Sequence, residues 1–310
     1  MAVNYNKLFN LLEKRNINLT KLSEDLKISS TTISKLKKKE YISLQILEKI
    51  ANYLSVQIDL LLEFELAHFK TPLLTRLLEE KKNKIKGGIY HQTQILLTYN
   101  SNHIEGSKLS FDETRYIFET NTISFDHDKK VIMIDDIIET INHFSAIDFM
   151  LEMVFEPLSE QLIKDLHYFL KRNTKDERLD WFGVGEYKKM PNIVGDEETT
   201  RPENVEREMN ELLKTYENNE PKTFEEIIDF HYKFEKIHPF QDGNGRVGRL
   251  IAFKELLRHQ QVPFTIDKEL KVFYYRGLKK YPTEKGYLID TCLSGQDKYK
   301  KVVSYFKIKH

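Results

Sequence analysis

Apolar residues recurring at three- and four-residue spacing constrain this chain more than any other feature. Leu8, Leu11 and Leu12 show the pattern, as do Leu151, Val154 and Phe155, then Leu162, Leu166 and Phe169, then Leu250, Phe253, Leu256 and Leu257. That spacing gathers each set on one face of a helix. Few segments alternate with the period of two that a half-buried strand needs. Only eight prolines and twelve glycines are spread over 310 residues, too few turn formers for an all-β design. An all-α fold is expected. The length leaves room for two domains and a substantial core, and 40% hydrophobic against 31% charged residues excludes a disordered chain. The most apolar region, residues 42–64, is broken by Glu48, Lys49 and Asp59, so no membrane partner is expected. The 48 basic and 48 acidic residues cancel, so any affinity for nucleic acid must come from a local patch. A single cysteine, Cys292, cannot close an internal disulfide, and the opening residues lack a secretory signal's unbroken apolar run. A cytoplasmic protein is expected.

Two domains are expected, 1–66 and 67–310, with the charged run Glu79 to Lys86, closed by Gly87 and Gly88, as the best candidate for a joint. In the first, helical patterns at Tyr5 to Lys14, Leu19 to Leu26, Thr31 to Lys38 and Leu44 to Leu54 are separated by turns short enough to force tight packing. The second and third are joined through Lys27, Ile28 and Ser29, the spacing of a helix-turn-helix. Ser29 or Ser30 can cap the third helix, with Ile33 and Leu36 inward. Ser30, Thr31, Thr32, Ser34, Lys35 and Lys38 then face outward as candidate DNA contacts, the lysines reaching phosphates. This segment resembles the helix-turn-helix of the Cro and phage-repressor type, and LQILEKIANYLSVQIDLLL resembles that family's fourth and fifth helices. It departs from the family at Lys27, where a glycine is common. The alternative is a helical bundle that makes the protein a homodimer.

The stretch HPFQDGNGRVGR, residues 238–249, combines residue types that rarely serve packing: a histidine, an acid, an asparagine between two glycines, and two arginines. Helical periodicity over Phe224 to Ile237 ends at Pro239 and resumes over Arg246 to Leu257. The glycine turn therefore feeds a helix N-terminus, whose unpaired amides and dipole attract phosphate oxygens. Arg246 and Arg249, at i and i+3, are expected to project toward one side and grip more distant phosphates. Asp242 lies beside them, and one carboxylate plus phosphate oxygens and water is the usual way Mg2+ is held. A neutral imidazole at His238 can take a proton from a hydroxyl near pH 7. The parts describe group transfer from a nucleoside triphosphate. No GxxxxGK[ST] loop offers another triphosphate site, Gly183 and Gly185 make only a lone GxG, and no HExxH or other zinc spacing occurs.

These residues spell the HxFx(D/E)GNGRxxR signature of the Fic family, filamentation induced by cAMP, which the stretch resembles at every defined position. The resemblance implies an α-helical Fic fold with a short β-hairpin flap, and transfer of AMP from ATP to a hydroxyl of a target protein, itself included among the candidates. Carried over by position, it makes His238 the base, Asp242 the Mg2+ ligand, Gly243, Asn244 and Gly245 the anion hole, and Phe240 a core anchor. Arg246 and Arg249 would hold the β- and γ-phosphates. The related Doc toxins, which transfer phosphate, replace both glycines flanking the asparagine; this chain keeps them.

Two further stretches fit. In SNHIEGSKLS, Ser101 and Glu105 share a helix face and Gly106 offers a stop. The run resembles the Fic inhibitory motif (S/T)xxxE(G/N), which implies that Glu105 pairs with Arg249 and denies it to ATP. In GEYKKMPNIVGDEETT, Val194 and Gly195 interrupt the helical pattern, and a hairpin before Pro202 is expected. It resembles the Fic flap, so Ile193, Val194 and Gly195 would dock target main chain, although the family often has Arg where Lys188 stands. Phe273, Tyr274 and Tyr275 fall where relatives shape the adenine pocket, Tyr275 being the best candidate. The resemblance covers Thr71 to about Asp297. It implies a protein adenylyltransferase under intramolecular restraint, able in some relatives to remove AMP as well. The alternative is a DNA-binding regulator whose Fic portion senses nucleotide or is inactive, and transfer of another nucleotide-linked group also stays open.

Overall fold

The computed structural model describes residues 2–65, 71–123, 131–217 and 221–310, which form two compact units, 1–69 and 70–310. The expected boundary at 66 and 67 lies outside the described residues. Residues 79–86 are no joint, however. They finish one helix of the second unit and turn into the next, with Glu80 buried and accepting the Tyr90 N–H at 3.0 Å.

In the first unit, strand β1 (Ala2–Asn4) precedes helices α1 (Asn6–Lys14), α2 (Leu19–Leu26), α3 (Ser30–Lys37) and α4 (Leu44–Tyr53). Leu8, Leu12, Leu22, Leu36, Ile50 and Leu54 meet in its core. Caps set the helix ends. Asn18 accepts from the Lys21 N–H and Ser29 from the Thr32 N–H, each satisfying an orphan donor of the first turn. Lys27, in the turn between α2 and α3, takes the left-handed conformation at φ 51°. The expected fifth helix is only a single 3-10 turn, Ile58–Leu60. Four residues separate it from α4, and the chain then straightens into β2 (Glu63–Glu65), which pairs antiparallel with β1.

The second unit begins with α5 (Pro72–Asn83), α6 (Ile89–Ile104), α7 (Phe111–Thr120), α8 (Ile134–Glu152) and α9 (Glu160–Lys171). A hairpin follows, β3 (Ile193–Val194) with β4 (Glu197–Glu198), antiparallel around Gly195 and Asp196. Then come α10 (Pro202–Glu217), α11 (Phe224–Ile237), α12 (Asn244–Arg258), α13 (Lys271–Lys280) and α14 (Gly286–Tyr305). The described residues are thus overwhelmingly helical, with two short two-stranded sheets. Helix α12 is apolar or buried almost all round and runs through the middle, against α6, α8, α9 and α11. Even its Lys254 and Glu255 are buried, paired with each other at 2.8 Å. A helix seated this firmly gives a rigid base to whatever its first turn carries.

Candidate functional site

The first turn of α12 carries the motif. A capping box between Thr223 and Glu226 starts α11, which ends at His238 with φ 53°, a left-handed conformation uncommon outside glycine. Pro239 then turns the chain. Gly243, at φ 81°, is the N-cap of α12 and brings no side chain to cap the first turn, while its own N–H bonds to the Asp242 carboxylate. The turn is clamped by Asn244, whose Oδ1 accepts the Phe240 N–H while its Nδ2 donates to the Phe240 carbonyl, both at 2.8 Å. The Asn244 side chain thus shapes the turn, and the anion-hole expectation concerns its backbone amide. The helix starts at Asn244, two residues before the expected Arg246.

Phe240 is fully buried and stacks on His167 of α9, ring centroids 4.0 Å apart. The His167 Nδ1 accepts the Gly185 N–H at 2.9 Å, so Nε2 carries the proton and donates to the Asp242 carbonyl at 3.1 Å. Burial brings this imidazole down to about 3 and keeps it neutral. One histidine thereby ties the motif loop to the GxG turn, a role that neither glycine pattern nor periodicity reveals.

The two arginines part company. Arg249 donates through Nε to Ser101 Oγ at 3.1 Å, and through Nη2 to the Ser101 carbonyl at 3.0 Å and Glu105 Oε1 at 2.6 Å. Glu105 caps the C-terminal end of α6. Burial disfavours the guanidinium charge, but Glu105, joined by Tyr274 and Glu235, more than restores it. Arg246 instead pairs with Glu139 of α8 and with Asp242 at 3.3 Å. The expectation that both arginines reach one side is therefore corrected: in this conformation each is held by its own acids, since a buried guanidinium takes the nearest carboxylate. The Arg246 cluster includes Lys171 of α9, whose ammonium meets Glu139 at 2.6 Å, Asp242 at 2.7 Å and Asp176 at 2.8 Å. Lys171, Glu139 and Asp176 were invisible in the motif, because α9, α8 and the 3-10 turn Lys175–Arg178 bring them to it only through packing. Asp242 sits at the rim with its side chain about half exposed. Partial desolvation opposes its anion, yet Arg246 and Lys171 hold it well below the ordinary carboxylate range. Among the described residues, no group of three or more His, Cys, Asp or Glu converges as a metal site.

A cavity of about 300 Å3 opens beside Gly245, lined by His238, Glu105, Arg249, Glu235, Tyr274 and Tyr275, and by the hairpin from Val194 to Thr199. Asp242, Arg246 and Ile193 lie outside this lining. A methyl on Gly245 would collide with the Glu105 carboxylate and lie 2.9 Å from Arg249 Nη1, so glycine there leaves room for the pair. Burial, helped by the Lys188 charge, lowers His238 to about 4, leaving it neutral at pH 7. Tyr275 reaches across to the Ile104 carbonyl at 3.4 Å, whereas Phe273 lies outside the lining. The hairpin's root is fixed to the motif loop: the Lys188 N–H donates to the Pro239 carbonyl at 2.8 Å, and its buried ammonium to Asn192 Oδ1 at 2.8 Å and Thr199 Oγ1 at 2.6 Å. Beyond the root, Ile193 and Val194 are exposed, 66% and 50%.

In the first unit, α3 presents Ser30, Thr31, Ser34, Lys35 and Lys38 to solvent with Leu36 buried beneath them. Thr32 is half-buried and its hydroxyl is engaged with Ser29 at 3.0 Å.

Comparison with known proteins agrees with this architecture. Residues 157–256 match the Fic/DOC family, and residues 7–67 match the Cro/C1-type HTH DNA-binding domain. Protein adenylyltransferase Fic of Nematostella vectensis is 27% identical over 190 residues, 59% of this chain and 42% of that protein. Protein adenylyltransferase fic-1 of Caenorhabditis elegans is 26% identical over 194 residues, 60% of this chain and 36% of the relative. The chain thus spans about two fifths of the length of these curated relatives. Among solved structures, a Fic-1 fragment from Caenorhabditis elegans superposes with TM-score 0.58 at 20% identity, covering 84% of this chain and 80% of that one. A Fic domain containing signaling protein from Bacteroides thetaiotaomicron gives 0.56 at 22%, covering 74% and 91%. Such likenesses show the fold. A domain that matches the Fic/DOC family thus occupies residues 157–256, and ahead of it residues 7–67 match a helix-turn-helix domain of the Cro/C1 type.

Proposed function

We propose that the protein is an adenylyltransferase that moves AMP from ATP to a hydroxyl of a target protein, and that Glu105 restrains it. The observation that carries this reading is one cavity with a neutral imidazole, an uncapped helix N-terminus and an arginine, the arginine already occupied by an acid of a neighbouring helix. The phosphate tail would lie along the amides of Gly243, Asn244 and Gly245 toward Arg249. The target hydroxyl would come in under the hairpin, where Val194 offers an exposed strand for main-chain pairing. His238 accepts the hydroxyl proton, the oxygen bonds to the α-phosphorus, and the bond to the β-phosphate oxygen breaks to release pyrophosphate. Asp242, ionised and half exposed, suits Mg2+ held by a single carboxylate and phosphate oxygens. Bound there, the ion would neutralise phosphate charge. With Arg249 paired to Glu105, the tail has no terminal clamp and ATP settles unproductively.

The test is the intact mass of the Glu105→Gly protein after incubation with each nucleoside triphosphate and Mg2+. A gain of one adenylyl group, larger than in wild type and absent in Glu105→Gly/His238→Ala, is expected. No gain from any triphosphate, with the protein folded, sinks the reading. His238→Ala should keep ATP binding, since the base acts on the target.

The exposed face of α3 favours a second, compatible role in DNA binding. A gel-shift titration across salt should show affinity falling as salt rises, with the slope reduced by about one in the Lys35→Ala protein. A flat response counts against it.

A further inference from the structure

Glu235 stands on α11 one turn before His238, and no step of the proposed transfer uses it. Its carboxyl lines the cavity, but Oε1 turns into the protein and is buried without a hydrogen-bond partner. That oxygen rests over Gly248 of α12 so closely that a methyl there would lie 2.5 Å from it. The Nδ1 of His231, also unpartnered, faces the same glycine. Isolated buried acceptors are rare, and an isolated buried carboxylate is costly unless a cation offsets it. Arg249 is the cation whose charge favours the Glu235 anion, and Glu105, already on that guanidinium, opposes it. Burial, with Glu105 adding to it, outweighs Arg249 and carries Glu235 up to about 8. The restrained arginine thus faces two acids, one paired with it and one held neutral by burial.

We propose that Glu235 is the alternate counter-ion of Arg249: once Glu105 is gone its carboxylate balances the guanidinium, and a nucleotide phosphate takes that place only after Glu235 has accepted a proton. The inference rests on reading this cavity as the nucleotide site. One buried cation balances one anion well and two anions poorly, because like charges at close range in a weakly polar space push each other toward protonation. Loss of Glu105 removes its repulsion and makes Glu235 more acidic. Arrival of a phosphate restores the repulsion and drives a solvent proton onto Glu235. Glu235 is a positioning residue here, acting through Arg249.

The groups around it leave the effect readable. From α6 comes Glu105, from α12 Arg249, and from α13 Tyr274 and Tyr275, both pushed above the ordinary phenol range by burial. On α11, His231 and His238 are lowered by burial to about 3 and about 4, so neither titrates near 8. Lys236 pairs with Glu197 of the hairpin, while Asp196, Glu198 and Lys279 line the same cavity. Lys188, whose charge reaches His238, is lowered by burial to about 8 and titrates in the same range. Comparing the Glu235→Gln variant with its parent in one background cancels the contribution of this lysine.

Calorimetric titration of the Glu105→Gly protein with Mg2+ and α,β-methylene-ATP, which resists cleavage at the transferring phosphorus, tests this in paired buffers of different ionisation heat. Net proton uptake near pH 8 is expected, with affinity dropping up to about tenfold per pH unit above it. Both effects should shrink in Glu105→Gly/Glu235→Gln to what Lys188 contributes, and that protein should bind the analogue at least as tightly as its parent on the alkaline side. Equal proton uptake by the two proteins, or weaker binding by the Glu235→Gln protein at every pH with an unchanged melting temperature, overturns the inference alone. Failure of both proteins to bind the analogue at any pH overturns the nucleotide-site reading and this inference with it.

Discussion

At the scale of single residues, the site is a set of side chains already spent on one another. Arg249 makes one hydrogen bond to the Ser101 hydroxyl, one to the Ser101 carbonyl and one to Glu105. Only the last carries full charge, so Glu105 should dominate the restraint and Ser101 should refine it. Ser101→Ala removes one neutral-acceptor hydrogen bond, on the order of 1 kcal/mol, and should raise self-modification by labelled ATP roughly fivefold, well short of Glu105→Gly. Equal activation by the two variants would show that the serine, not the acid, sets the restraint. Asn244 makes a different demand. Its side chain accepts the N–H of buried Phe240 and donates to its C=O, which also accepts from Asn192 Nδ2 at 3.3 Å, so Asn244→Ala orphans the N–H and weakens the hold on the carbonyl. The variant should lose about 1 to 3 kcal/mol in urea unfolding, the cost of one orphaned buried donor. A loss under about 0.5 kcal/mol would mean that water replaces the clamp.

Among elements, the ends of helices decide where function sits. The boundary of α11 was legible because apolar spacing ran from Phe224 to Ile237 and Pro239 stopped it. The start of α12 was not: Gly-Asn-Gly reads as loop, and only the fold-back of Asn244 onto Phe240 makes it a first turn. Short apolar stretches carry no usable period, which is why residues 58–60 passed for a helix and the pairing of β1 with β2 went unseen. The Glu105–Arg249 contact was legible through motif resemblance alone. Lys171, Glu139, Asp176, His167 and Glu235 were not, since each sits in ordinary helical pattern and meets the motif only in three dimensions. One departure from a familiar pattern has a structural cost that can be measured. Lys27 holds φ 51° between α2 and α3, a conformation that strains a side-chain-bearing residue by about 1 kcal/mol and glycine hardly at all. Lys27→Gly should therefore stabilise the first unit by a few tenths to about 1 kcal/mol in urea unfolding, the gain cut by glycine's greater freedom when unfolded. A destabilised variant would show that the lysine side chain contributes more than the strain removes.

Over the whole molecule, buried histidines should set the acid limit of the fold. His143, His167 and His231 are each nearly inaccessible, and burial is the leading cause that lowers all three. A group whose folded value lies below its unfolded one binds fewer protons when folded, so the folded state loses stability as pH falls below about 6.5, the unfolded imidazole value. With His167 and His231 near 3, each should cost about 2 kcal/mol by pH 5, or roughly 4 together, and His143, also lowered, adds in the same direction. That is a large share of the stability of an ordinary domain, about 5 to 15 kcal/mol. Glu235 works the other way: raised to about 8, it holds a proton when folded that the unfolded chain gives up above about 4.3, so its share of stability shrinks as pH rises to 8. One such acid offsets only part of three histidines. Urea unfolding should accordingly show the second unit losing several kcal/mol between pH 6.5 and 5, with a net uptake of protons on unfolding. Glu235→Gln should steepen that loss by removing the opposing acid. A stability unchanged between those pH values would mean that water reaches these imidazoles and that the buried frame of His167 against Phe240 is looser than its 4.0 Å stacking implies.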